Sequence, residues 1–181
     1  MSVLNRFRIR SFKRDERAVS AVEFALLAPM MIGLYLGGVE ISEGISVDRK
    51  VTLAAGAVAN LAAQTATLTT ADMTNVLDAT TTIMAPYSAA PLRITVSCIN
   101  IDANRIATVK WSVTRNGTIK SGSVTLPSAL QVANTQLLFG EVSYTYTPTV
   151  GHVITSAINL SDTMYMAPRI SAPKYNGTAC T

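Results

Sequence analysis

Few residues in this chain have the types and the spacing that chemistry requires. The single histidine, His152, has no second ligand at a metal-binding spacing. The sequence contains no motif of a serine hydrolase, a dithiol oxidoreductase or a phosphate-binding loop. The acidic residues after position 40 are scattered singly. The sequence therefore predicts no catalytic residue, no metal site, no cofactor and no enzymatic activity.

The carboxylate of Glu23 is unusual for its position in the sequence. It lies in the run Val19–Val39, which holds no other charged residue. A carboxylate costs at least about 2–3 kcal/mol near the centre of a bilayer, costs less near the edge, and commonly marks a function. Two interpretations follow. Either Glu23 lies among the headgroups and the anchor begins at Phe24, or the carboxylate meets a positively charged partner.

The positive charge of the chain is concentrated at its N-terminus. Residues 1–18 hold six basic and two acidic residues, which equals the net charge of +4 for all 181 residues. A basic segment directly before an apolar run follows the positive-inside pattern of membrane proteins. A basic arm for nucleic acid is the competing interpretation, but no basic or aromatic stripe supports it downstream. We therefore expect no nucleic-acid partner.

The apolar run Val19–Val39 is long enough to cross a membrane. Its 21 residues span about 31 Å as a helix. A secretory signal peptide is the alternative, but its apolar region is usually about 7–15 residues long and ends at a small-residue cleavage site. This run ends in Val39-Glu40-Ile41-Ser42-Glu43 instead. We expect a single span with the N-terminus in the cytoplasm and residues 40–181 outside.

That location bears on the two cysteines, Cys98 and Cys180. In an oxidising compartment, two cysteines favour one disulfide, which here would attach the C-terminus to the rest of the domain. Two unpaired thiols are the alternative. The sequence predicts the disulfide.

Helical periodicity continues beyond the membrane. Apolar residues recur at spacings of three and four, at Val47, Val51, Ala54, Val58 and Leu61, which predicts one helix over residues 19–66. A second helix is expected to start near Thr69, where a hydroxyl and Asp72 form a capping pattern, and to end by Pro86.

The remaining sequence predicts β-strands. The predicted strands are Leu92–Ile101, Arg105–Arg115, Gln136–Thr147 and Ile154–Met166. Ala107, Val109, Trp111 and Val113 are expected to share one face. Asn116-Gly117 is a signal for a type I′ turn, and Asn176-Gly177 repeats it. Both Asn-Gly-Thr triplets also match the glycosylation sequon, but we attribute them to turns.

These elements predict an α+β fold. It consists of a long N-terminal transmembrane and amphipathic helix, a short second helix and a small antiparallel sheet of about four strands. The outer half of the long helix is expected to cover one face of the sheet. The predicted organisation is a basic leader (1–18), a membrane-spanning and packing helix (19–66) and an extracytoplasmic domain (67–181).

The segment RAVSAVEFALLAP, from Arg17 to Pro29, followed by Gly37-Gly38-Val39-Glu40, resembles the N-terminus of TadE/TadF-like pseudopilins. These are minor pilins of the bacterial Tad (tight adherence, Flp-type) pilus systems. Weaker similarity continues in Tyr144–Pro148, in Met166–Arg169 and at Cys180. The family usually has glycine before its cleavage site, whereas this chain has Ala18.

The resemblance implies a type IV pilin-like architecture and a set of functional residues. A prepilin peptidase would cut between Ala18 and Val19, which places Glu23 and Phe24 fifth and sixth in the mature chain. Glu23 would then attract the new α-amino group of a neighbouring subunit. Residue chemistry, apart from the resemblance, adds two further expectations. Pro29 lacks a backbone donor and would permit local melting of the helix; the alternative is an ordinary membrane proline. Gly33 and Gly37 form a small-xxx-small pair that would allow close approach of another helix; the alternative is chance in a glycine-rich segment.

The resemblance also implies partners, a location and a function. The partners are the prepilin peptidase, other minor pilins, and the major pilin or the assembly platform. The location is the bacterial inner membrane with the domain in the periplasm, or the cell-surface pilus. The predicted function is assembly of a pilus that supports adhesion. An uncleaved inner-membrane scaffold and a ligand-binding module at the pilus tip are the alternatives.

Overall fold

The computed structural model describes residues 16–148, 151 and 155–181, with only the backbone described at positions 16–18. Most of the predicted leader and His152 therefore lie outside the described residues. The chain forms two compact units. One comprises the chain to Ser42 with Pro148–Ser156, and the other comprises Glu43–Thr147 with Ala157–Thr181.

The first helix, α1, runs from Glu16 to Ala63. It is continuous through Pro29 and ends three residues before the predicted boundary at residue 66. One part of this helix, near the N-terminus, is long and apolar enough to cross a membrane. The expectation of a long N-terminal apolar helix is therefore confirmed.

Within the second unit, the C-terminal half of α1 packs against the sheet. The predicted stripe residues Val47, Val51, Ala54 and Val58 are fully buried in the main core. Leu61 is only half-buried. Small residues complete this face of the helix, namely Ala55, Ala59, Ala62 and Ala63. Because alanine adds little bulk beyond the backbone, the helix can approach the sheet closely.

Gly140 is the point of closest approach between α1 and the sheet. A Cβ atom at this position would lie 2.9 Å from the carbonyl oxygen of Ala55 and 2.9 Å from Cγ1 of Val58. Both distances are too short for a real carbon atom, and one involves the helix backbone. Only glycine fits here without displacing α1.

The second helix, α2 (Thr70–Thr82), begins at the predicted cap. Thr69 accepts a hydrogen bond from the Asp72 amide at 3.2 Å, and the Asp72 carboxylate accepts one from the Thr69 amide at 2.9 Å. This reciprocal arrangement is a capping box. After the helix, Lys50 of α1 donates to the carbonyl oxygens of Ile83 and Ala85 at 3.1 and 2.7 Å. A cation there also complements the negative end of the helix dipole.

The main sheet has five antiparallel strands and a core on the α1 face. In spatial order they are β4 (Gly122–Ser123), β3 (Ala107–Arg115), β2 (Leu92–Ile101), β5 (Thr135–Tyr146) and β6 (Ile158–Met166). The predicted bounds of β2 are correct, and β5 begins and ends one residue early. Val142, Tyr144 and Tyr146 are all buried on the α1 side, as their alternation predicts.

One prediction about β3 is wrong because the strand contains a bulge. The β2–β3 register shifts between Cys98 and Ile99, which pair with Trp111 and Val109. The extra residue reverses the alternation of side chains across the sheet. Trp111 therefore joins the α1-side core, whereas Ala107 belongs to a second, smaller cluster. The four residues expected to share one face are divided between the two faces.

The turn predicted at Asn116-Gly117 is also wrong. Only Asn116 has a positive φ (55°), whereas a type I′ turn requires it at both central residues. After Asn116 and Gly117 the chain does not turn directly back along β3, and it forms its next strand at β4. Gly117 instead allows close packing, because its Cβ would lie 2.5 Å from Thr114 Oγ1.

The C-terminal segment forms a second, two-stranded sheet that the sequence did not reveal. β1 (Thr67–Leu68) pairs in parallel with β7 (Lys174–Tyr175). The next residues, Asn176 and Gly177, have φ values of 47° and 83°, and Tyr175 and Thr178 exchange backbone hydrogen bonds around them. The turn chemistry expected at this second Asn-Gly pair is confirmed.

Candidate functional site: the N-terminal motif and the anchored C-terminus

The predicted cleavage site lies inside α1. The helix begins at Glu16, so the bond between Ala18 and Val19 is within its first turn. The bond that the predicted cleavage would break is therefore in helical backbone, close to the first residue that the structure describes.

The helix beyond Val19 exposes a nearly continuous apolar surface. Its most hydrophobic window has no buried residue. Large side chains are more than half exposed all around this part of the helix, including Val22, Phe24, Leu26, Leu27, Met30, Met31, Ile32, Leu34 and Tyr35. A helix that is apolar on every side is suited to a membrane or to burial among other helices.

Glu23 is exposed within this apolar surface. Among the described residues it has neither a hydrogen-bond partner nor an ionic partner. Its Cα lies four residues, or about 6 Å along the axis, from that of Val19. The carboxylate is therefore available to a group from outside the described part of the chain, and Phe24 beside it is 69% exposed.

The three predicted packing residues follow in the same helix. Pro29 is exposed and lacks an amide hydrogen, so the carbonyl of Ala25 loses its usual helical donor. Gly33 is open, since a Cβ added there would have no atom within 4 Å, whereas Gly37 is buried. The two glycines are one turn apart, but they differ in how accessible they are.

The cysteines are brought together as predicted. Cys98 in β2 and Cys180 near the C-terminus form a disulfide with a Cα–Cα distance of 5.9 Å, and both residues are fully buried. Their separation of 82 residues makes this a long covalent loop. The disulfide connects the end of the chain to the centre of the sheet.

Two further contacts hold the same C-terminal segment, and sequence reasoning did not find them. The indole Nε1 of Trp111 donates to the carbonyl oxygen of Pro173 at 3.1 Å. The Trp111 ring also lies 5.6 Å from the ring of Tyr175. The only signal in the sequence was the single tryptophan, because a buried indole needs an acceptor for its N–H group. The sequence did not indicate which residue supplies that acceptor.

No group of three or more potential metal ligands occurs in the described part of the chain. His152 lies outside it. Comparison of the chain with protein-family models, with curated proteins and with solved structures finds no match. The functional interpretation therefore depends on the residues of this chain and on their arrangement.

Proposed function

We propose that this chain is a minor pilin or pseudopilin of TadE/TadF type. In this role it is anchored in the bacterial inner membrane, with its domain in the periplasm, and takes part in assembling an adhesive pilus. The proposal includes a type IV pilin-like architecture. It also includes the prepilin peptidase, other pilins and the assembly platform as partners.

The observation that carries the proposal is the position of Glu23. A carboxylate that has no partner among the described residues, on an otherwise apolar and exposed helix surface, is costly in lipid. Cleavage between Ala18 and Val19 would remove the basic leader and create an α-amino group. Two charged groups that are each costly in a low-dielectric medium offset one another when they pair. Glu23 would thus direct a neighbouring subunit into the correct position.

The distribution of charge supports the proposed orientation. The leader holds the whole excess positive charge of the chain, and such segments remain in the cytoplasm. The domain then lies in an oxidising compartment, where a disulfide such as Cys98–Cys180 persists.

A second candidate function is favoured by one residue. Ala18 occupies the position where the resembled family usually has glycine. If the peptidase does not accept alanine, the chain keeps its leader and acts as a single-span scaffold in the inner membrane. The two candidates predict different N-terminal residues for the protein in cells.

The docking role of Glu23 is tested by exchanging it for leucine in the native host. We expect Glu23→Leu to insert into the membrane normally but to reduce pilus assembly strongly, because the attraction for the α-amino group is lost. Glu23→Lys should be worse, since it repels that group. Pili counted by electron microscopy and the amount of inserted protein provide the two measurements.

Asp48 offers a matched control, because it is an exposed carboxylate on the same helix but outside the apolar run. Asp48→Leu should leave assembly unchanged. Normal piliation of cells that carry Glu23→Leu would contradict the docking role.

A further inference from the structure

The face of the main sheet that points away from α1 has a polar half and an apolar half. In the polar half, residues that lie opposite one another on adjacent strands are polar. Arg93 lies opposite Ser143, and Thr95 lies opposite both Glu141 and Thr114. The apolar half holds the second cluster, which includes Ile99, Phe139 and Leu126. The polar half borders an open groove of about 530 Å³, a volume typical of small-molecule sites.

One wall of this groove is the segment that follows β3, and it is fixed in place. Gly117 lies so close to the sheet that a Cβ would be 2.8 Å from Thr95 Oγ1. The amide of Lys120 donates to Ser112 Oγ at 3.1 Å, and its ammonium group pairs with Glu141 at 2.7 Å. The Lys120 ammonium also lies 5.0 Å from the centre of the Phe139 ring. The groove is therefore formed before any ligand arrives.

The charged groups of the groove leave one cation uncompensated. Lys120 and Glu141 neutralise each other. Arg93 also lines the groove, and it has neither an ionic nor a hydrogen-bond partner among the described residues. A guanidinium group binds a carboxylate through two parallel hydrogen bonds. The groove consequently favours a ligand with one negative charge.

The other groove groups favour a ligand that carries hydroxyls and has an apolar face. The side chains of Thr118, Ser121 and Ser143 line the groove, and no hydrogen bond engages their hydroxyls within the described residues. Glu141 uses Oε2 for Lys120, which leaves Oε1 as an acceptor. Ile119 lines the same groove and is 63% exposed, so it offers an apolar surface to the ring carbons of a sugar.

We infer that this groove binds a carboxylated sugar, such as a uronic acid, with the carboxylate on Arg93 and the ring hydroxyls on the serine, threonine and Glu141 groups. The inference does not depend on the proposed function, because every groove residue lies in the second compact unit and the binding needs neither cleavage nor assembly.

The test is isothermal titration of the full chain, purified in a neutral detergent, with galacturonate, galactose and glycerol 1-phosphate. We expect galacturonate to bind at least tenfold more tightly than galactose, because only galacturonate has the carboxylate. Arg93→Gln should reduce the affinity for galacturonate at least tenfold. Lys110→Gln removes the same charge from an exposed position on β3 outside the groove, and it should change the affinity less than twofold.

Three outcomes would overturn the inference. The first is that the wild-type chain does not bind galacturonate, and the second is that Arg93→Gln binds it as well as the wild type. The third is tighter binding of glycerol 1-phosphate than of galacturonate, since it would indicate a phosphate site. Circular dichroism of each variant checks that the fold is retained. Repeating the titration with oligogalacturonate distinguishes a free sugar acid from a unit within an acidic polysaccharide.

Discussion

Glu23 and Asp72 are both exposed carboxylates, but their surroundings differ completely. Asp72 accepts hydrogen bonds from the Thr69 hydroxyl at 2.7 Å and from the Thr69 amide at 2.9 Å. Glu23 has no partner among the described residues. The first carboxylate is explained by the fold of its own chain. The described residues do not explain the second, which the proposed docking role pairs with the α-amino group of a neighbouring subunit.

The capping role of Asp72 predicts a specific pH dependence of stability. The hydrogen bonds from the Thr69 side chain and backbone lower the pKa of Asp72 below its ordinary value of 3.8. Since the folded-state pKa is the lower one, the stabilisation is fully present above pH 3.8 and is lost as the pH falls through the folded-state pKa. Asp72→Asn should therefore unfold more easily than the wild type at about pH 6, and the gap should shrink below pH 3.8.

Thermal unfolding of both proteins at several pH values measures this gap. Asp102→Asn is not a suitable control, because Asp102 also accepts backbone hydrogen bonds. Asp48→Asn is suitable, because the Asp48 side chain is exposed and has no partner among the described residues. A gap for Asp72→Asn that stays constant from about pH 6 to about pH 3 would contradict the assignment.

The packing of α1 against the sheet depends on the lack of a side chain at Gly140. Gly140→Ala would place Cβ 2.9 Å from the Ala55 carbonyl oxygen, and we expect a loss of about 1–3 kcal/mol in the free energy of unfolding. Chemical denaturation of the full chain in detergent measures the loss. Gly56→Ala is the matched control. Its Cβ would make only an ordinary 3.9 Å contact with Met164 Cε, and alanine favours the helix by up to about 1 kcal/mol.

Equal stability of Gly140→Ala and the wild type would show that α1 can move away from the sheet without cost. A lower free energy of unfolding for Gly140→Ala together with a higher one for Gly56→Ala would support a helix that is held tightly against β5.

The elements with a strong local signal were predicted well, because residues that are close together in the sequence carry that signal. The apolar run of α1, the capping box of α2 and the β-branched run of β2 are of this kind. The bulge in β3 opposite Cys98 was not predicted. The alternating pattern of β3 carries no mark of the position where one extra residue enters the strand. The pairing of β1 with β7 was missed because strands of two residues carry no periodicity. The groove at Arg93 is likewise formed by chain segments that are distant in the sequence.

At the level of the complete chain, an exposed apolar helix segment is combined with a domain whose C-terminus is fastened by a disulfide. The apolar segment suits a membrane. The domain keeps its last residues in place through Cys98–Cys180 and through the Trp111–Pro173 hydrogen bond.

The disulfide predicts a large effect on stability. Cys98→Ala combined with Cys180→Ala should cost on the order of 4–5 kcal/mol by the loop-entropy model for so long a loop. Amide hydrogen exchange should increase first in the C-terminal segment, from Pro173 onward, because one of its attachments is lost. Reduction of the wild-type chain is the control and should produce the same pattern. Unchanged exchange in this segment would contradict the anchoring role.

The most direct test of the account is the mature N-terminus of the protein isolated from its native cells, determined by intact-mass spectrometry and N-terminal sequencing. The docking of Glu23 with a neighbouring α-amino group requires a chain that begins at Val19, and we expect this residue. A chain that begins at Met1, or one that begins near position 40, would contradict the account, because in either case Val19 supplies no free amine to pair with Glu23.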